Sequence, residues 1–149
     1  MTKTVVVTGA GSGIGRAIAF TLAERSWRVV VTDVDGDSAR RVADSLPDAE
    51  GVQHESAVLN VSSPEDAAGV AFDVTDRLGL EAWVSNAGIS FMHSFLDAPI
   101  ARYDQTMDVN LKGVFVCGQA AARAMVRSGT AGAIVNLSLI HISEPTRPY

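Results

Sequence analysis

Cysteine is almost missing from this 149-residue chain: there is one, Cys117. A lone thiol forms no internal disulfide, so a reducing cytoplasm is the expected setting. Runs of positive charge are missing too. Twelve Lys and Arg face 17 Asp and Glu for a net charge of −5, and no basic cluster stands out. That argues against a nucleic-acid partner, which asks for a concentrated Lys/Arg surface. No apolar stretch reaches the length of a membrane span, and the opening MTKTVVVTGAGSG has neither a secretory nor a transit pattern. The three histidines, His54, His93 and His141, stand apart without metal-ligand spacing, so no metal is expected. Internal repeats and low-complexity segments are also absent.

What is present suits one globular domain. Hydrophobic residues make up 47% and charged residues 19%, enough apolar material for a single core. Short apolar runs alternate with amphipathic stretches. Thr4–Thr8 (TVVVT) and Arg28–Asp33 (RVVVTD) read as strands covered on both faces. Weaker strands are expected at Ala57–Val61, Glu81–Ser85 and Ala133–Ser138. Between them, Ile14, Ala17, Ile18 and Leu22 share a helical face, and Ala39, Val42, Ala43 and Leu46 share another, stopped by Pro47. Ser63-Pro64-Glu65-Asp66 is a helix start, with a capping hydroxyl, proline in the first turn and acids near the positive helix end. Gly79 ends the helix whose apolar face is Ala67, Val70, Ala71, Val74 and Leu78. A long helix is expected from about Ile100 to Arg127, with Val109, Val114, Phe115, Ala120, Ala121 and Met125 facing the core. This alternation predicts an α/β fold, a Rossmann-type doubly wound parallel sheet truncated after the fifth strand, because parallel neighbours need a crossover between them.

The chemistry begins at Thr8-Gly9-Ala10-Gly11-Ser12-Gly13-Ile14-Gly15, between the first strand and the first helix. Glycines there let the chain turn sharply, let the backbone approach a pyrophosphate, and let the helix pack tightly on the strand. The free N–H groups and the dipole of the helix start favour the phosphates. Asp33 closes the second strand, 18 residues after Gly15. A carboxylate there would accept hydrogen bonds from ribose hydroxyls and repel a 2′-phosphate, so NAD is expected over NADP.

These features together resemble the classical short-chain dehydrogenase/reductase family. The matching motifs are TGAGSGIG (Thr8–Gly15), Asp33, the pair Asn60-Val61, SNAG (Ser85–Gly88) and NLKG (Asn110–Gly113). The resemblance implies that Gly9, Ser12, Gly13, Ile14 and Gly15 form the phosphate loop. It implies that Asn60, where the family usually has Asp, meets the adenine amino group and that Val61 meets the ring. Asn86, Ala87 and Gly88 would pass under the ribose beside the nicotinamide. Asn110 matches the family's helix asparagine, tied to a proton-relay water. Ser85 replaces the first Asn of the usual NNAG, which is thought to brace the sheet. The long helix and its predecessor would form a subunit interface in a dimer or tetramer. The implied activity is hydride transfer between nicotinamide and a small-molecule alcohol or ketone, with a Ser, a Tyr and a Lys four residues after the Tyr as the catalytic groups. The alternative is a non-catalytic dinucleotide-binding module.

At the chain's end the family pattern stops. Ser138 matches the family's first, non-catalytic Ser, and Leu139 stands at the position of the catalytic one. Tyr149 falls short of the expected spacing, and no Lys follows it. LSLIHISEPTR also resembles the conceptual translation of a transposase-type sequencing adapter. The expectation is therefore an incomplete NAD(P)-binding domain at 1–136 and a non-native tail at 137–149. Such a chain would lack turnover, and its fifth strand would present an exposed, aggregation-prone edge.

Overall fold

The structure, a computed structural model, describes residues 2–48 and 51–138. Five parallel strands form one sheet: β1 (Thr4–Thr8), β2 (Arg28–Asp33), β3 (Glu55–Val58), β4 (Ala82–Ser85) and β5 (Ala133–Asn136). Their order is β3-β2-β1-β4-β5. The chain winds outward from β1 in both directions, the doubly wound arrangement expected from the sequence. Helices α1 (Gly13–Ala23), α2 (Gly36–Ser45) and α3 (Pro64–Leu78) make the crossovers, followed by α4 (Ile100–Met107) and α5 (Gly113–Ser128).

The strand register explains the β-branched runs. Val5, Val6 and Val7 of β1 pair with Val29, Val30 and Val31 of β2, and all six are buried. Alternate valines feed opposite faces. Val5, Val7, Val29 and Val31 pack with α1 and α2 residues such as Ala19, Ala23, Ala39 and Val42. Val6 and Val30 pack on the other face with Trp83, Leu80, Ala71, Val74 and the Cys117–Met125 stretch of α5. Small residues on the helices let them sit close to the branched strands.

The cap expected at α3 is there, and α2 has one that its sequence pattern did not single out. The Asp35 carboxylate caps α2 by accepting from the N–H groups of Asp37 and Ser38. Ser63 Oγ caps α3 by accepting from Asp66 N–H, and Gly79 follows its last turn at φ 76°.

Four expectations need correction. The third strand lies at Glu55–Val58, not Ala57–Val61, and pairs Val30 with Glu55. Its start is set by His54, whose Nδ1 accepts from Val29 N–H at 3.1 Å, and by Glu55, which pairs with Arg77 at 2.8 Å. Leu59 is buried just past the strand. In α1 the buried face is Gly15, Ala19 and Ala23; Ala17 is exposed and Ile14 is 53% exposed. The sheet-facing line belongs to the small residues, because the helix comes too near the strands for Ile14. The long helix is interrupted by a π-helical turn, Asp108–Lys112. Beyond it Ala120, Ala121 and Met125 are buried as expected, while Phe115 is 67% exposed. The fifth strand ends at Asn136, two residues early, and each of its residues is exposed. The expected foreign tail, 137–149, lies outside the described residues from Leu139 onward.

Candidate dinucleotide site

The parallel order brings the C-terminal ends of β1, β2 and β4 side by side, and the loops leaving them converge. Asn86 is the fastener. Its side-chain Nδ2 donates to the carbonyls of Thr8 (2.9 Å) and Gly9 (3.2 Å). Thr8 Oγ1 in return accepts from the N–H groups of Asn86 and Ala87, both at 3.0 Å. The glycine loop and the Ser85–Gly88 segment, 78 residues apart in the chain for the Asn86–Thr8 pair, thus form one surface.

Glycine is required where these segments touch. Gly9 has φ +62°, and a Cβ there would come within 2.7 Å of Ala87 Cα. A Cβ on Gly15 would collide with the Gly9 carbonyl and Asn86 Nδ2. Any side chain at either position would force the loop off the end of β4.

Unlike α2 and α3, helix α1 begins without a side-chain cap: Ser12 at the N-cap makes no such bond. The first N–H groups of a helix have no partners within it. With Ser12 and Gly13 exposed, the first turn can receive an anion, and its dipole favours one.

Asp33 spans the gap between the loop and β2. Its Oδ2 accepts from Gly11 N–H at 3.0 Å and its Oδ1 from Asp35 N–H at 3.1 Å. A carboxylate has about four acceptor positions, so two such bonds leave capacity for hydroxyl donors. Of the nearby arginines, Arg40 pairs with Asp37 at 2.8 Å, Arg41 donates to Ser38 Oγ at 2.8 Å, and Arg16 lies over the Phe20 ring at 5.4 Å.

Asn60 is exposed on the loop after β3, with Oδ1 accepting from Ser62 N–H at 3.1 Å. Val61 turns inward, buried against Gly113. Asn110, in the π turn, bonds Ile89 twice at 2.8 Å: Oδ1 accepts from its N–H and Nδ2 donates to its carbonyl. It therefore anchors the segment just past Gly88. Ser85 Oγ is buried with no partner among the described residues, as is Trp83 Nε1. The sequence signals did not anticipate the Asp33–Gly11 bond or the π turn. Both depend on distant segments meeting.

A parallel α/β sheet whose first crossover opens with an uncapped, glycine-lined helix start, and whose second strand ends in a carboxylate with acceptor capacity to spare, defines a dinucleotide-binding fold. Comparison with known proteins narrows this. The short chain dehydrogenase family profile matches residues 3–145, and the chain belongs to that family. It is 37% identical over 139 residues to L-rhamnose 1-dehydrogenase (NAD(P)(+)) of Sphingomonas sp. (strain SKA58), covering 93% of this chain and 55% of that protein. Its fold is similar to a short-chain type dehydrogenase/reductase from Mycobacterium marinum (TM-score 0.80, 35% identity, covering 90% of this chain and 54% of that one). It is also similar to an alcohol dehydrogenase from the archaeon Thermococcus sibiricus complexed with 5-hydroxy-NADP (TM-score 0.81, 28% identity, covering 91% and 57%). The chain spans about half the length of the curated relatives it matches, 52–57% for the first of them. Among the described residues, no helix is long and apolar enough to cross a membrane and no group of metal-ligating side chains assembles.

Proposed function

We propose that this chain is the dinucleotide-binding half of an NAD-linked oxidoreductase working on a small-molecule alcohol or ketone in the cytoplasm. The observation that carries the proposal is the glycine loop held between Asp33 and Asn86 beside an uncapped helix. A group with a pyrophosphate fits there, because the helix start at Ser12 and Gly13 is exposed and uncapped, and nothing lies within 4 Å of where a Cβ on Gly13 would point. Gly9, Ser12, Gly13, Ile14 and Gly15 would hold the phosphates by backbone N–H groups. Asp33 would accept from the adenosine ribose. Asn60 would meet the adenine edge, with Val61 supplying backbone and a packed floor rather than an exposed side chain. Asn86, Ala87 and Gly88 would lie along the nicotinamide ribose, with Asn110 fixing the backbone that follows them. The bound nicotinamide supplies hydride transfer; the chain's own residues bind and orient it.

Asp33 also carries the preference for NAD. A 2′-phosphate would face its carboxylate, and the Arg40 guanidinium is already paired with Asp37. Calorimetric titration of the chain with NADH and NADPH is the test. NADH binding tighter by about tenfold, the size of one unfavourable charge contact, is the expected result; equal or tighter NADPH binding refutes it. No turnover is expected from the chain as written, since it holds no Tyr-x-x-x-Lys. Robust NAD-linked oxidation of an alcohol by this chain would overturn that.

The exposed stripe Ile100, Tyr103, Met107, Leu111 and Phe115 recurs every three or four residues along α4 and into α5. It suits a subunit interface in a homodimer or tetramer. Sedimentation of a Leu111→Glu, Phe115→Glu double variant checks this, a shift toward monomer being the expected outcome.

A further inference from the structure

The loop after β3 touches the helix bearing Asn110 at three points. Ser62 Oγ donates to the Asp108 carbonyl at 3.1 Å. Val61 packs so tightly on Gly113 that a Cβ there would come within 2.8 Å of Val61 Cγ2. The Cys117 thiol faces the Val61 carbonyl at 3.9 Å. Asp108 and Gly113 are the two ends of the π turn, since Gly113 N–H donates to the Asp108 carbonyl. The loop therefore grips the turn at both ends.

A π turn is less favourable than continued α-helix and persists where outside partners hold it. Here the partner at its start is Ser62, which Asn60 Oδ1 in turn holds through Ser62 N–H. Inside the turn, Asn110 makes its two bonds to Ile89. A return to regular α-helix would shift the register by one residue, roughly 100° of rotation, and carry Asn110 away from Ile89.

We infer that Ser62 is a positioning residue that couples the adenine-side loop, Asn60–Ser62, to Asn110 and Ile89, so that filling the adenine end sets the backbone at the nicotinamide end. This rests on the dinucleotide reading of Asn60 and of Asn86–Gly88. The Ser62 hydroxyl holds the start of the turn, and the Val61–Gly113 packing holds its end.

The test titrates the 15N-labelled chain with 5′-AMP, which has no nicotinamide and reaches only the adenine end. In the wild-type chain AMP is expected to shift the Ile89 amide and the Asn110 side-chain amide signals. In Ser62→Ala, AMP should still bind within about twofold while those two responses shrink to less than half, and NADH should bind about fivefold more weakly, the size of one lost net hydrogen bond. Ser62→Thr keeps the hydroxyl and should restore both. Unchanged Ile89 and Asn110 responses in Ser62→Ala overturn the coupling, and so does wild-type AMP binding that leaves both signals still. Failure of the wild-type chain to bind AMP at all overturns the dinucleotide reading, and the coupling with it.

Discussion

β1 and β5 belong to one parallel sheet and are written in similar residues, yet their surroundings are opposite. All five residues of β1 are buried; all four of β5 are exposed. Both follow the same backbone rules. β1 lies between β2 and β4, with helices packed on both faces. β5 has β4 on one side, and no described strand on the other. Strand-forming residues therefore set the conformation of a segment, while its neighbours set its energetic worth. The same contrast divides the helices. α1 to α3 lie over β1, β2 and their neighbours, whereas α4 and the start of α5 keep a broad apolar stripe in the open.

Trp83 and Val135 test this contrast most severely. Trp83 is fully buried on β4, and Trp83→Ala should cost about 3–5 kcal/mol, a large share of the roughly 5–15 kcal/mol that holds an ordinary domain folded. Val135 on β5 is 51% exposed, and Val135→Ala should change stability by less than about 0.5 kcal/mol. Urea unfolding followed by circular dichroism measures both. Comparable losses at the two sites would mean that β5 is covered in solution.

The site offers the next largest effect. Gly9→Val forces a branched side chain to φ +62° against the Ala87 backbone. It should cost about 1–3 kcal/mol from backbone strain alone and abolish NADH binding. A variant that binds NADH normally would show that the loop packs elsewhere.

Cys117 reports on the α5 side of the sheet. It lies on the buried face of α5, and burial pushes its thiol up to about 12. At pH 8 it should resist iodoacetamide in buffer and react once urea unfolds the chain. Reaction in buffer at the rate of a free thiol would show that α5 opens while the β1–β2 half stays closed.

The smallest effect concerns acid. The Asp35 carboxyl sits below its usual value of 3.8 because Ser38 donates to it from both hydroxyl and backbone, with Asp37 N–H and Arg41 adding to this. Its depressed folded value means that the charged form caps α2. That contribution is complete above the unfolded value and fades as pH falls through the folded one. Asp73, held down chiefly by Arg77, behaves alike on α3. Stability should be flat from neutrality to about pH 5 and decline only in stronger acid. Asp35→Asn should flatten part of that decline, a change read from unfolding curves at several pH values.

Much of the fold was legible because its signals are local. The valine runs, Ser63-Pro64 at the start of α3, Gly79 at its end and the glycine loop each act within a few residues. The candidate site was legible in outline for the same reason, since a glycine cluster between strand and helix means much the same wherever it occurs. Val61 and Phe115 were not legible. Each is an apolar residue at a plausible position, and only the approach of Gly113 turns Val61 inward, while nothing described packs over Phe115. Nor could the sequence reveal that β3 begins at Glu55, because that start depends on His54 meeting β2 and on Arg77 reaching over from α3.

By itself, then, the sequence determined the order of elements, the Ser63 cap and Gly79 stop of α3, the glycine-lined helix start and the carboxylate at Asp33. These follow from backbone sterics and short-range hydrogen bonding. The tertiary structure alone decided which face of α1 is buried, where the long helix opens into a π turn, and that Asn86, Asp33 and Asn110 tie three loops into one surface. The reason is physical: a side chain's environment is set by whatever segment lands beside it, and those segments come from distant parts of the chain.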